Sequence, residues 1–138
     1  AGTGLARVGD DFRLLAARVP GEDRALVPGG ELAVELEWQA VRPPARDLTV
    51  FVQLLGPDGR VATQQDNPPL HGTRPTTTFR AGEIVVDPYR LRLPAVLRPG
   101  IYLLQTGLYH APSGVREPVR LPDADADRVI IGRYVVGP

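Results

Sequence analysis

The sequence predicts an all-β fold, an antiparallel β-sandwich or jelly roll of about eight strands. First, 15 glycines and 15 prolines are spread through the 138 residues and divide the chain into short segments. Second, those segments are rich in β-branched and aromatic residues, whereas a parallel sheet would need crossover helices that such short segments do not supply. The length suits one compact domain, so we expect residues 1–138 to form a single β-sandwich domain.

The first half of the chain contains four predicted strands. Phe12–Arg18 also fits a short helix, and we assign it to a strand because helices average about 11 residues. Apolar and polar residues alternate over Glu31–Gln39, which is typical of a strand with one buried face. The alternation returns over Leu48–Leu54, and Pro57-Asp58-Gly59 then turns the chain into Val61–Gln64, so we expect a β-hairpin.

The second half contains five further predicted strands, again separated by glycine and proline. They are Glu83–Val86, Tyr89–Leu93, Ile101–Tyr109, Val115–Leu121 and Arg128–Val136. On the longest of them, alternate residues are expected to face the core, namely Tyr102, Leu104, Thr106 and Leu108.

The composition excludes several classes of function. Sixteen basic and sixteen acidic side chains balance, so neither nucleic-acid binding nor a polybasic membrane contact is indicated. Without cysteine or lysine there is no disulfide, thiol nucleophile, Schiff base or P-loop lysine. Ser113, the only serine, lies in a turn that does not resemble a nucleophile elbow. We expect no cofactor, no catalytic residues and no direct insertion of this segment into a membrane.

The polar loop Asn67–Ala81 is the longest predicted connection, and loops of this length are usually functional or disordered. Three carboxylates flank it and are weak candidates for a metal site or an acid–base pair: Asp66, Glu83 and Asp87. In the alternative interpretation, Asp66 and Asp87 accept backbone N–H bonds and hold the loop in shape.

Other potential metal ligands fit exposed loops better. Asp123, Asp125 and Asp127 have the spacing that opens a calcium loop, but the glycine and glutamate that complete such a loop are missing. His71 and His110 lack the neighbouring ligands of a zinc site.

Three aromatic residues are candidates for stacking against a sugar ring. Trp38 shares the apolar face of its strand, which predicts core packing instead. Phe51 and Tyr109 lie on the less apolar sides of their strands, near Gln53 and Gln105, and are better candidates for a surface platform. The alternative is that both rings pack under the long loop or against a neighbouring domain.

An ordered series of short motifs resembles a β-sandwich domain appended to bacterial integral-membrane proteins, glycosyltransferases similar to dolichyl-phosphate-mannose protein mannosyltransferases. The motifs are Leu26-Val27-Pro28-Gly29-Gly30-Glu31-Leu32 with Trp38, Val50-Phe51-Val52 with Leu54, Pro57-Asp58-Gly59, Gln64, Asp66, Pro69, Gly72, Pro75-Thr76, Gly82-Glu83, Asp87, Leu91, Leu93-Pro94, Pro99-Gly100, Tyr102, Gly107-Leu108-Tyr109, Ser113-Gly114 and Arg116. The sequence departs from the family pattern at Gln53, Phe79 and Ser113, where histidine, tryptophan and threonine are usual.

The resemblance implies a non-catalytic, extracytoplasmic accessory domain, tethered through a membrane-spanning parent chain. The missing initial methionine agrees with a piece of such a longer protein. A glycan or glycan precursor is the ligand that this context favours. We expect the ligand contacts to be Phe51, Gln53, Asp66, Thr76, Phe79 and Tyr109. The alternative is a purely structural or protein-interaction sandwich that docks on the membrane portion of its parent and binds no small molecule.

Overall fold

The computed structural model describes residues 5–19, 25–121 and 125–138, and it confirms the predicted antiparallel β-sandwich. Eleven strands occur in the described residues. Their bounds are β1 Ala6–Val8, β2 Phe12–Arg18, β3 Glu31–Ala40, β4 Thr49–Leu55, β5 Val61–Asn67, β6 Ile84–Arg92, β7 Gly100–His110, β8 Val115–Arg116, β9 Val119–Arg120, β10 Asp125–Ala126 and β11 Val129–Val136. No helix of the described ranges is both long enough and apolar enough to cross a bilayer.

The strands form two sheets that face each other across the core. The six-stranded sheet has the order β10-β9-β1-β2-β3-β6. The five-stranded sheet has the order β11-β7-β4-β5, with the short β8 paired to β7. The predicted hairpin is confirmed: β4 pairs with β5, and Gly59 closes the turn with a φ of 78°, a left-handed conformation that suits glycine.

The core is built from the alternating residues of both sheets. Trp38 is 1% exposed and packs edge-on against Phe12, so its predicted core position is confirmed. The four inward residues predicted for β7 are likewise buried: Tyr102, Leu104, Thr106 and Leu108. Burying each large apolar side chain contributes about 1.5–3 kcal/mol, which fixes the register of these strands.

The long loop crosses from β5 in one sheet to β6 in the other and closes one end of the sandwich. A 3₁₀ turn at Thr76–Thr78 lies in its second half. The hydroxyl of Thr76 accepts the Leu48 N–H at 2.9 Å and donates to the Arg46 carbonyl at 3.1 Å. Phe79 enters the core and packs edge-on against Phe12. The loop is therefore anchored by buried contacts.

Two predicted strand boundaries were wrong. Glu83–Val86 and Tyr89–Leu93 are parts of one continuous strand, β6, because Asp87 points into the core and Pro88 is tolerated at a sheet edge. Val115–Leu121 is divided into β8 and β9, which belong to different sheets. Pro20-Gly21, which the sequence predicts as a further turn, lies outside the described residues.

Candidate functional site on the outer face of the five-stranded sheet

A cavity of about 280 Å³ opens on the outer face of the five-stranded sheet, on the side away from the core. We call it the outer-face cavity. It is lined by Phe51, Gln53, Asp66, Tyr109, Gly114 and Arg116. These residues come from β4, β5, β7, β8 and the turn before β8, so pairing between strands brings distant parts of the sequence together.

Phe51 forms the floor of the cavity and is 1% exposed, although it points away from the core. Its register partner on β7 is Gly107, and a Cβ atom at that position would lie 2.6 Å from Phe51 Cζ. The Phe51 ring therefore occupies the space beside residue 107 that only glycine leaves free. The guanidinium of Arg116 covers the ring, with Cζ 4.2 Å from the ring centroid, a cation–π arrangement.

Three glutamines cross the same face in one row, because they lie opposite each other on β7, β4 and β5. Gln105 Nε2 donates to Gln53 Oε1 at 2.8 Å, and Gln53 Nε2 donates to Gln64 Oε1 at 3.0 Å. Arg116 Nη2 also donates to Gln53 Oε1, at 3.3 Å. Gln105 is 2% exposed, and its Oε1 has no hydrogen-bond partner among the described residues. The amides form a preorganised polar wall beside Phe51.

Asp66 and Tyr109 form the opposite wall of the cavity. The Tyr109 hydroxyl donates to Asp66 Oδ2 at 3.0 Å, while Asp66 Oδ1 is buried without a partner in the described structure. Burial raises the pKa of Asp66, and the Tyr109 hydrogen bond and the Arg116 charge oppose this rise only in part. Burial and the Asp66 carboxylate also raise the pKa of Tyr109. This wall presents an acceptor beside a half-buried aromatic ring.

A second cavity of about 370 Å³ lies where the edges of the two sheets meet, and we call it the edge cavity. It is lined by Gln65, His71, Pro88, Tyr89 and Arg90. A third cavity, of about 250 Å³, lies beside the β4–β5 turn and Tyr102. The edge cavity therefore adjoins β5, the same strand that supplies Asp66 to the outer-face cavity.

Four of the six residues predicted as ligand contacts line the outer-face cavity: Phe51, Gln53, Asp66 and Tyr109. The other two need correction. Thr76 is fully buried in the loop, and Phe79 is 2% exposed with Arg74 Cζ 5.1 Å from its ring centroid. Both side chains fill the end of the core, so neither reaches the cavity.

The three carboxylates that flank the long loop each have a different hydrogen-bond partner. Arg74 donates to both carboxylate oxygens of Glu83, at 2.8 and 2.9 Å, and holds the pKa of Glu83 at about 2. Asp87 accepts the Leu70 N–H at 2.8 Å, which confirms its predicted backbone role, and burial raises its pKa. Asp66 accepts a hydrogen bond from the Tyr109 phenol, and within the described residues it accepts none from a backbone amide. The predicted backbone role was therefore wrong for Asp66. Among the described residues, no group of three or more potential ligands is placed to hold a metal ion.

Two of the remaining sequence candidates lie near this face, Asp127 and His110. Asp123 and the side chain of Asp125 lie outside the described part of the structure, whereas Asp127 is 3.5 Å from the guanidinium of Arg116. His110 Nδ1 is 2.8 Å from Ser113 Oγ in the turn between β7 and β8. That turn places Arg116 over Phe51, and it contains Gly114 of the cavity wall.

Arg116 and Gly107 shape the cavity, but they were named only in the motif series and not among the predicted ligand contacts. Arg116 is one of 16 basic residues, all of them arginine, and no local pattern assigns it to this face. The register between β4 and β7 pairs Gly107 with Phe51, and that pairing is the signal that identifies its role. Residue type alone gives no such information.

The fold and the cavity define a two-sheet β domain with an aromatic and polar recess on one outer face. No protein-family model and no curated protein matches the chain. Its structure is similar to the C-terminal domain of wzt, with a TM-score of 0.54 and 12% identity over 98% of this chain and 75% of that one. This similarity shows a shared all-β fold.

Parts of two larger enzymes also resemble the chain. One is a β-D-mannosidase from Dictyoglomus thermophilum, with a TM-score of 0.44 and 17% identity over 89% of this chain and 14% of that one. The other is a β-glucosidase from Listeria innocua in complex with isofagomine, with a TM-score of 0.47 and 18% identity over 91% and 17%. The chain therefore spans only a small fraction of either enzyme.

Proposed function

We propose that this chain is a non-catalytic carbohydrate-binding domain and that the outer-face cavity is its binding site. One observation carries the proposal: an outer sheet face, where solvated side chains are expected, instead holds buried amides and an aromatic floor around an open recess. Buried polar groups need hydrogen-bond partners, and Asp66 Oδ1 and Gln105 Oε1 have none among the described residues.

The chemistry of the walls suits a sugar. A pyranose presents apolar C–H faces and hydroxyl groups that both donate and accept hydrogen bonds. The Tyr109 ring offers an aromatic surface, the Gln53 amide offers polar atoms, and Asp66 offers a carboxylate acceptor. A hydroxyl-rich ring can contact the aromatic wall and the fixed polar groups together.

Binding without catalysis is supported by the number of carboxylates. Glycoside hydrolysis usually requires two carboxyl groups on either side of the glycosidic bond. The described lining of the cavity contains one, Asp66. Asp127 lies close by, but it does not line the cavity and it pairs with Arg116 at 3.5 Å.

The wider context of the domain rests on the motif resemblance alone. We propose an extracytoplasmic accessory domain of a membrane-bound glycosyltransferase-like protein, composed of one β-sandwich over residues 1–138. In that setting the domain would hold a glycan or glycan precursor near the membrane portion of its parent. Membrane spans in the same reading frame, together with protection of the domain from cytoplasmic protease, would be the expected findings.

Binding is tested with the purified chain on a broad glycan array, followed by calorimetry on the best ligands. We expect binding that Asp66→Asn and Tyr109→Ser each weaken about tenfold, as loss of one charged hydrogen bond or one aromatic contact implies. Glu35→Gln, on the outer face of the other sheet, is the matched control and should bind like the unmodified chain. If no glycan on the array binds, the proposal is overturned and the structural alternative is favoured.

A further inference from the structure

The outer-face cavity and the edge cavity lie on the two sides of one strand. Asp66 lines the first cavity and Gln65 lines the second, and these residues are consecutive in β5. Side chains of consecutive residues in a strand point to opposite faces. The width of a single strand therefore separates the two cavities at this point.

The strand between the cavities is a sheet edge. Within the described residues β5 pairs with β4 alone, so its outer edge carries backbone donors and acceptors that belong to no ladder. Contacts to β6 tie this edge down on either side of Asp66: the Arg90 N–H donates to Gln65 Oε1 at 3.0 Å, and the Tyr89 hydroxyl donates to the Asn67 carbonyl at 3.4 Å. A fixed polar edge thus connects one cavity to the other.

The wall of the edge cavity is held in an unusual backbone conformation. Leu70 and His71 both have a φ of 54°, a left-handed conformation that is uncommon outside glycine. The fully buried carboxylate of Asp87 fixes this turn by accepting the Leu70 N–H. As a result the His71 ring lies 6.3 Å from the Tyr89 ring, over the cavity. Conformations of this kind persist where the surrounding structure enforces them, and they are concentrated at ligand sites.

We infer that the two cavities are subsites of one site, which takes a linear, neutral oligosaccharide running across β5 at Gln65 and Asp66. This inference rests on the proposed function. Drug-sized ligands occupy pockets of about 300–1,000 Å³, and the two cavities measure about 280 and 370 Å³. Each is small alone, and together they suit a chain of several rings. Asp66 and Arg116 line one cavity and Arg90 lines the other, so the charges have no single sign, which favours a neutral chain.

The test is calorimetry with a length series, using linear maltooligosaccharides and mannooligosaccharides from one to about six units, and any other linear neutral glycan that binds on the array. We expect the longest members to bind about tenfold more tightly than the disaccharides. Arg90→Gln and His71→Asn should remove that gain while leaving disaccharide affinity unchanged. Asparagine is chosen because it tolerates the left-handed backbone at this position.

Arg92→Gln is the matched control, since Arg92 is exposed on the same strand and the same face as Arg90, outside the edge cavity. If affinity does not depend on chain length, this inference is wrong. It is also wrong if both edge-cavity variants keep the higher affinity for long chains. Either result would leave the proposed function standing. If no glycan of any length binds, both fail together. Circular dichroism of each variant shows whether loss of the higher affinity for long chains reflects unfolding.

Discussion

The outer faces of the two sheets differ in what covers them. On the six-stranded sheet, Arg18 reaches Glu35 at 3.2 Å and Glu37 at 3.0 Å, and these ion pairs are partly exposed to solvent. On the five-stranded sheet, Phe51 and Gln105 occupy equivalent outward positions but are almost completely buried. Both faces belong to antiparallel sheets of one sandwich, so architecture alone does not explain the difference.

Solvated ion pairs require only water, whereas buried amides require fixed partners. Exposed pairs of this kind contribute little to stability and can be exchanged freely. A row of glutamines packed beside a ring stabilises the fold only when its hydrogen-bond geometry is kept. A buried polar group in that row without a partner lowers the stability. The five-stranded face therefore depends on fixed side-chain geometry and the six-stranded face does not, and that distinction can be tested face by face.

The largest expected effect is the loss of Phe51. Phe51→Ala should lower the free energy of unfolding by about 3 kcal/mol, the range of a core phenylalanine, because the ring is buried against Gly107 and Arg116. Ile84→Ala, at an outward and half-exposed position of β6, should cost less than about 1 kcal/mol. Urea denaturation measures both. Equal costs would remove the distinction between the faces.

Gly107→Ala tests the floor of the cavity from the opposite side. The added methyl group would lie 2.6 Å from Phe51 Cζ, so the ring must move and overpacking should cost about 1–3 kcal/mol. Gly137→Ala, with no atom within 4 Å of its new Cβ, should leave the melting temperature unchanged. Displacement of Phe51 should also weaken glycan binding. A stable Gly107→Ala protein with normal binding would contradict the described packing.

A smaller, pH-dependent effect is expected at Asp66. Because burial raises its pKa, the folded protein retains a proton that the unfolded chain has already released. The stability therefore falls as the pH rises from the unfolded pKa through the folded one, and the loss is complete above both. Asp66→Asn removes this contribution, so its melting temperature relative to the unmodified chain should rise between about pH 3 and pH 7. A constant difference across that range would show that the carboxylate is not desolvated.

The smallest effect should come from Arg18. Arg18→Ala removes both exposed ion pairs of the six-stranded face, and salt and water already screen them. We expect no measurable change in melting temperature at physiological ionic strength. A clear loss would mean that this face is also organised, and the contrast between the sheets would then weaken.

The fold followed from the sequence because its signals are local. Alternation over residues 31–39 and the Pro57-Asp58-Gly59 turn act within a few residues, and both strand and hairpin occur as predicted. Two strands were predicted where β6 is continuous, because Asp87 and Pro88 are usual turn residues. Only the neighbouring strand and the buried carboxylate make those residues compatible with a strand.

The site could be predicted only in part, because it depends on pairing between distant strands. Phe51 and Tyr109 were identified from their positions on the less apolar side of their strands. Arg116 reaches the cavity only through the pairing of β8 with β7, which no local pattern specifies. Phe79, in a polar loop, was expected to contact a ligand, yet the loop turns it into the core.

Pro88 has a consequence for how this protein behaves in concentrated solution. The Arg90 N–H points away from β3 towards Gln65, so in this antiparallel strand the backbone nitrogen of Pro88, two residues earlier, points the same way. A proline nitrogen has no hydrogen to donate, so the free side of β6 offers an interrupted row of donors to any incoming strand. Growth of the six-stranded sheet by addition of a second molecule at β6 is thereby disfavoured. The edge of β5 stays open to a ligand that binds without forming strand-to-strand hydrogen bonds.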